Sequence, residues 1–214
     1  RELKWTDKQK KFIDLALAKE NQIIIVKSPP GTGKTILATF CCLTLLNKKA
    51  ISSIQFLRNP VESVSKGLGF APGLLSEKIR PYGEPLFISL QQLISQSNIN
   101  SLVNDERIKV DSIGFIKGCT WSVSGVIVDE AEDLKIDELR LCVGRLGSHS
   151  KLFILGDENQ CNVSKSGFLK FFNLFNDEEA KKNGIVTFEF TKDDCMRNGM
   201  MKFILERFET IKNN

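Results

Sequence analysis

Histidine is nearly missing from this chain: only His149 occurs, within LGSHSK, which reads as a turn. That scarcity excludes triads built on a histidine base and most zinc sites, because both need imidazoles. Cysteine occurs at Cys41, Cys42, Cys119, Cys142, Cys161 and Cys195, but no C-x-x-C pair or regular spacing links them. Several sit in apolar runs, where a free thiol behaves as a small buried hydrophobe. A reduced, cytoplasmic setting is therefore expected rather than a disulfide framework. The longest apolar stretch, 36–46, contains two threonines and falls well short of the ~20 residues of a membrane span. No membrane partner and no signal peptide are expected. Repeats and low-complexity linkers are also lacking. The chain opens on Arg1 instead of methionine, which leaves room for flanking domains.

What remains is an ordinary globular composition, 42% hydrophobic and 26% charged over 214 residues, enough for one sizeable α/β domain. A net charge of +4 suits an anionic partner without requiring one. WTDKQKKFIDLALAKE carries a Thr6-x-x-Gln9 capping-box pattern ahead of helically spaced apolar residues. Segments 23–26, 51–57, 108–110, 123–128, 152–155 and 185–190 read as strands. Helices are expected over 34–46, 87–94, 136–146, 168–175 and 194–211. Alternation of strands with helices predicts an α/β fold, a mostly parallel sheet with helices on both faces. The stretch from about 58 to 106 begins rich in glycine and proline, and reads as an insertion within a single domain spanning 1–214.

Between the first strand and its helix lies SPPGTGKT. It fits the phosphate-loop pattern except that Ser28 stands where the first glycine usually does. Gly31 and Gly33 free the backbone to turn N–H groups toward anionic oxygens, and the helix that follows points its positive end at the same place. Lys34 can reach β- and γ-phosphates, and the Thr35 hydroxyl can ligate Mg²⁺. Nucleotide contacts are thus expected from Ser28, Pro29, Pro30, Gly31, Thr32, Gly33, Lys34, Thr35 and Ile36. SGVIVDEAED ends an apolar strand in Asp129 and Glu130. Asp129 would hold the metal, with Thr35, and Glu130 would orient or deprotonate an attacking water. A solvated acidic helix start is the plain alternative. KLFILGDENQ ends a further strand in Gly156, Asp157 and Gln160. The Gln160 amide can sense the γ-phosphate, whereas Gly156 and Asp157 can equally be mere turn formers.

With these motifs the chain resembles the PhoH family, phosphate-starvation-associated ATPases related to the first RecA-like domain of superfamily-one helicases. The resemblance covers Gln9, SPPGTGKT, RNPVESVSKGLGFAPGLLSEKIRPY, VDEAED, RLGSHSKLFILGDENQ and FTKDDCMRN. It implies a RecA-like P-loop fold, ATP and Mg²⁺ as ligands, ATP hydrolysis, ties to RNA binding or unwinding, and ring-shaped homo-oligomers. By the match Gln9 would read the adenine edge, though the capping box is an equal alternative. Arg197 would face phosphate, in its own subunit or across a subunit boundary, with a solvated helix arginine as the alternative. Arg58 would meet phosphate or nucleic acid, or form a structural salt bridge.

Three departures stand out. FIKGCTW offers Lys117 and Cys119 where the family has two arginines, Glu84 stands where an arginine is common, and Glu132 replaces a glutamine. Lysine lacks the planar fork of arginine, so a finger supplied by Lys117 would act less well, leaving Arg197 as the other candidate. A single RecA-like core completes its site by borrowing groups from another subunit or works as a slow hydrolase and switch; a homo-oligomer, a ring such as a hexamer, is the expectation. Single-stranded RNA or DNA is the expected macromolecular partner. Arg58, Lys66, Lys78, Arg80 and Lys117 are the basic candidates for it, with Phe115 and Trp121 as stacking surfaces. A nucleotide-gated binding module with little hydrolysis is the second reading, and a small-molecule kinase the third.

Overall fold

The computed structural model describes residues 4–58, 83–157 and 166–195. The segments read as strands become β1 (Ile23–Lys27), β2 (Ser53–Arg58), β3 (Ile108–Asp111), β4 (Ser124–Asp129), β5 (Lys151–Gly156) and β6 (Ile185–Glu189). They form one six-stranded sheet in the order β3-β2-β4-β5-β1-β6, parallel at every pairing. Parallel neighbours need long crossovers, and helices supply them. These are α1 (Asp7–Leu17), α2 (Lys34–Asn47), α3 (Glu84–Leu93), α4 (Gln96–Asn104), α5 (Ile136–Val143), α6 (Phe168–Leu174) and α7 (Glu178–Lys182).

Strands β1, β4 and β5 are buried along nearly their whole length because both faces are covered, whereas β2, β3 and β6 carry polar residues such as Gln55, Lys109 and Thr187. Ile24 and Val26 of β1, Phe56 of β2, Ile127 of β4 and Phe153 of β5 enter one core with α1, α2 and α3. Ile25, Leu57, Val126, Val128, Leu152 and Ile154 enter a second core with α5 and α6. The helix after the glycine loop, α2, is apolar nearly all round, since α1 and α3 pack on the side that the sheet leaves open. Leu86 and Leu90 of α3 are fully buried in that same core. The described end of the expected insertion is therefore built onto the sheet, while residues 59–82 lie outside the described residues.

The expected α/β architecture is the one observed. Several details differ. Gly144 follows Val143 in a turn, so α5 is shorter than the 136–146 helix expected, and Leu146 pairs instead with Trp121 across an isolated parallel bridge. Trp121 is consequently 6% exposed and joins the core, which removes it as a stacking surface. Asp194, where a helix to 211 was expected to begin, closes a 3-10 turn, Lys192–Asp194. The rest of that helix lies outside the described residues. No pattern in the sequence marks α7, a five-residue helix capped by Asp177, whose carboxylate accepts the Ala180 N–H at 2.7 Å.

One buried lysine organises the start of the domain. Lys151, first residue of β5, donates to the carbonyls of Ala16, Ala18 and Asn21 at 2.7, 2.6 and 2.6 Å. These oxygens belong to the end of α1 and the turn after it, where carbonyls lose their intrahelical partners. A cation at a helix C-terminus also opposes its negative dipole end.

Candidate nucleotide site

The carboxyl ends of β1, β4 and β5 meet at one edge of the sheet, and the candidate residues lie on the loops that leave them. After β1 the Ser28 N–H still bonds the Gly156 carbonyl at 3.0 Å, so the chain leaves the sheet one residue later than the strand ends. Gly31 and Gly33 then adopt φ of 82° and 85°, the left-handed region that costs a side chain strain. Gly33 is the N-cap of α2 and no side chain caps the helix. The first-turn N–H groups therefore face the loop with the positive end of a 14-residue helix behind them. That is a cradle suited to phosphate.

Ser28 at the first loop position does not require a left-handed backbone, since it is not among the positive-φ residues. Its hydroxyl instead contacts that of Thr32, and the two donate to the Pro29 carbonyl at 3.0 and 3.2 Å. Both residues are buried, so this hydroxyl pair holds the loop from inside. Gln9 braces it from outside. Its Nε2 donates to the Thr32 carbonyl at 3.1 Å, and its Oε1 accepts the Thr6 N–H at 3.0 Å in a complete capping box. Gln9 is 3% exposed. This amide supports the loop backbone and completes the capping box, which was the other of its two expected roles.

Asp129 ends β4, is buried, and its Oδ2 accepts the Thr35 hydroxyl at 3.2 Å. Burial pushes its carboxyl above the usual range, while the Lys34 ammonium pulls it down and Glu130 pushes it up. A hydroxyl and a buried carboxylate in contact are hard oxygen donors of the kind that magnesium takes along with phosphate and water. Among the described residues no group of three or more His, Cys, Asp or Glu side chains is arranged to hold a metal by itself. The donors present thus fit a metal that arrives with a phosphate ligand. Thr35 and Asp129 would hold it.

Glu130 follows with φ 53° and ψ 43°, a left-handed conformation that costs a non-glycine residue about 1–2 kcal/mol. Its N–H bonds Asp129 Oδ1 at 3.2 Å. The carboxylate does not stand free. Arg58, last residue of β2 and in register with Asp129, donates Nε to Glu130 Oε2 at 2.6 Å and Nη2 to Glu130 Oε1. Arg58 thus makes the salt bridge that was one of its two expected roles. Glu132 turns inward, 3% exposed, and accepts the Asp157 N–H at 3.1 Å, tying the end of β4 to the end of β5. Burial drives its carboxyl up to about 7 against the pull of its backbone bonds and Lys34.

Gly156 is extended strand, and a Cβ there would lie 2.6 Å from the Phe168 ring. Its smallness serves packing instead of a turn. Lys117 is exposed in the turn before Gly118, and Phe115 is 61% exposed in the preceding 3-10 turn, Ile113–Phe115. Gln160, Arg197, Lys66, Lys78 and Arg80 lie outside the described residues. One contact had no signal in the sequence: Cys195 Sγ donates to the Pro30 carbonyl at 3.4 Å, bringing the start of the DDCMRN segment against the phosphate loop.

The family described as "PhoH-like protein" matches residues 3–209. The chain belongs to the PhoH family. Among curated PhoH-like relatives, the protein of Mycobacterium leprae is 34% identical over 72% of this chain and 44% of its own length. That of Mycobacterium tuberculosis is 30% identical over 94% of this chain and 56% of its own length. Protein PhoH of Escherichia coli K12 is 27% identical over 91% of this chain and 55% of its own length. The chain therefore spans about half the length of these relatives. Among solved structures, the large terminase of a thermophilic bacteriophage superposes with a TM-score of 0.58 at 15% identity, over 95% of this chain and 49% of that one. That likeness is one of fold. Among the described residues no helix is long and apolar enough to cross a membrane.

Proposed function

We propose that this PhoH-family chain is the core of a Mg²⁺-dependent ATPase whose turnover is coupled to single-stranded RNA or DNA. The observation that carries the reading is the Thr35 hydroxyl on the buried Asp129 carboxylate, at the open N-terminus of α2. Lys34 and the N–H groups of the glycine loop would bind the triphosphate and offset charge on its oxygens. Magnesium, when bound, supplies further neutralisation of the β- and γ-phosphate oxygens. Glu130 would orient a water in line with the γ-phosphorus and accept its proton. The new phosphorus–oxygen bond forms as the bond to the bridging oxygen breaks, its electron pair leaving on ADP, and the proton passes on to solvent or phosphate. Gln160 is the proposed γ-phosphate sensor. Arg197, or Lys117, is the proposed charge supplied across a subunit boundary in a homo-oligomeric ring.

Steady-state phosphate release from ATP, with magnesium and with EDTA, tests this core. Wild type should turn over only with magnesium. Lys34→Ala should lose nucleotide binding, and Glu130→Gln should bind nucleotide but lose at least ~10² in rate, within the range for removing a positioned acid–base group. Turnover that survives Lys34→Ala would sink the assignment. Light scattering with nucleotide present tests the ring. A monomer with full turnover contradicts it.

A second reading, a nucleotide-gated binding module, draws support from one observation: both Glu130 oxygens are engaged by Arg58. ATP binding without turnover in wild type, with or without polynucleotide, would favour it.

A further inference from the structure

A carboxylate that must take a proton from water needs an oxygen lone pair aimed at that water. In this structure both Glu130 oxygens are turned to the side, onto the fork of Arg58. The pair is not a loose surface contact. Arg58 and Glu130 side chains are 25% and 33% exposed, and a bidentate guanidinium–carboxylate fork is stronger and more directional than a single neutral hydrogen bond. Two backbone constraints set it up. Parallel register places Arg58 beside Asp129 at the ends of neighbouring strands. The left-handed Glu130 backbone, fastened by its N–H to Asp129, presents the side chain toward β2.

We infer that Arg58 is a positioning residue that holds Glu130 away from the reacting water in the ligand-free domain, and that a phosphodiester of a single-stranded polynucleotide releases Glu130 by taking the guanidinium. The inference rests on the ATPase reading above. A phosphodiester offers paired oxygens with the same bidentate geometry as a carboxylate, so the exchange swaps one fork for another at little net cost. Glu130 then rotates about its side-chain torsions while the Asp129–Glu130 turn stays in place, leaving the metal-side pair of Thr35 and Asp129 undisturbed. The arrangement couples strand occupancy to chemistry through one side chain that touches both β2 and the acidic end of β4.

The test is phosphate release by wild type, Arg58→Gln, Arg58→Lys and Glu130→Gln, each alone, with poly(U) and with oligo(dT), alongside binding of a fluorescent ATP analogue. Wild type should be slow alone and faster with a polynucleotide; poly(U) against oligo(dT) tells whether RNA or DNA is the source of the phosphodiester. Arg58→Gln should raise the unstimulated kcat about 10-fold with ATP binding unchanged, and neither polymer should raise it further. Arg58→Lys, which keeps the charge but not the fork, should fall between the two. A merely structural Arg58 predicts a lower melting temperature with kcat unchanged or reduced, and either result overturns the inference. A fall in kcat at constant KM does so as well, since it would put Arg58 on the γ-phosphate. No turnover in any protein under any condition, with ATP still bound, sinks the ATPase reading itself and the restraint with it.

Discussion

Replacing Glu132 by glutamine is expected to stabilise the nucleotide-free, magnesium-free domain at pH 8 and to change little at pH 4.5. Glu132 is 3% exposed and accepts the Asp157 N–H. Burial raises its carboxyl from 4.5 to about 7, with Asp129 adding to the rise while its backbone bonds and Lys34 oppose it. The folded domain thus holds this proton more tightly than the unfolded chain does. Stability from this group is greatest below pH 4.5, falls as pH rises toward about 7, and is level above that. The full interval is worth roughly 3 kcal/mol at 1.36 kcal/mol per pH unit, an upper figure because buried sites relax. Glutamine keeps an oxygen to accept the Asp157 N–H and never carries the charge. In a domain of this size ~3 kcal/mol corresponds to about 6–12 °C in Tm. Thermal melts of both proteins from pH 4.5 to 8.5 would show the difference opening across that window. Parallel curves at every pH, or a less stable variant at pH 8, would refute the reasoning.

Lys151→Met removes the donor of three bonds to the end of α1 and leaves those carbonyls in a buried setting. A loss of about 2–4 kcal/mol is expected, read as a lower urea midpoint, with hydrogen exchange rising first at residues 16–21. Burial pushes the Cys41 and Cys142 thiols up to about 12, so at pH 8 only about one in 10⁴ is thiolate. Iodoacetamide followed by mass mapping should label exposed Cys119 long before either, and fast labelling of Cys41 or Cys142 would count against the packing described.

The α/β class and the order of elements were legible because a sheet covered on both faces demands strands that are apolar at every position, as IIIV, VIV and LFIL are. The glycine loop was legible for a similar reason: only glycine enters the left-handed region cheaply at Gly31 and Gly33, so the backbone requirement is written in residue type. Partnership was less so. Gln9 carries the same letter whether it meets adenine or a loop carbonyl, and its bond to Thr32 spans 23 positions. Trp121 sits among small and polar residues in GCTWSVSG, and only its bridge to Leu146 puts it in the core. The five-residue α7 has too few turns to show a period.

The sequence by itself determined that a phosphate-suited loop follows one buried strand and that paired carboxylates end another, since local backbone needs and strand burial are encoded residue by residue. Only the tertiary structure decided which charge faces which. Register across parallel strands brought Arg58 to Glu130 over 72 positions and Lys151 to the end of α1 over as many as 135, and electrostatic pairing depends on distance in space, to which separation along the chain gives no guide.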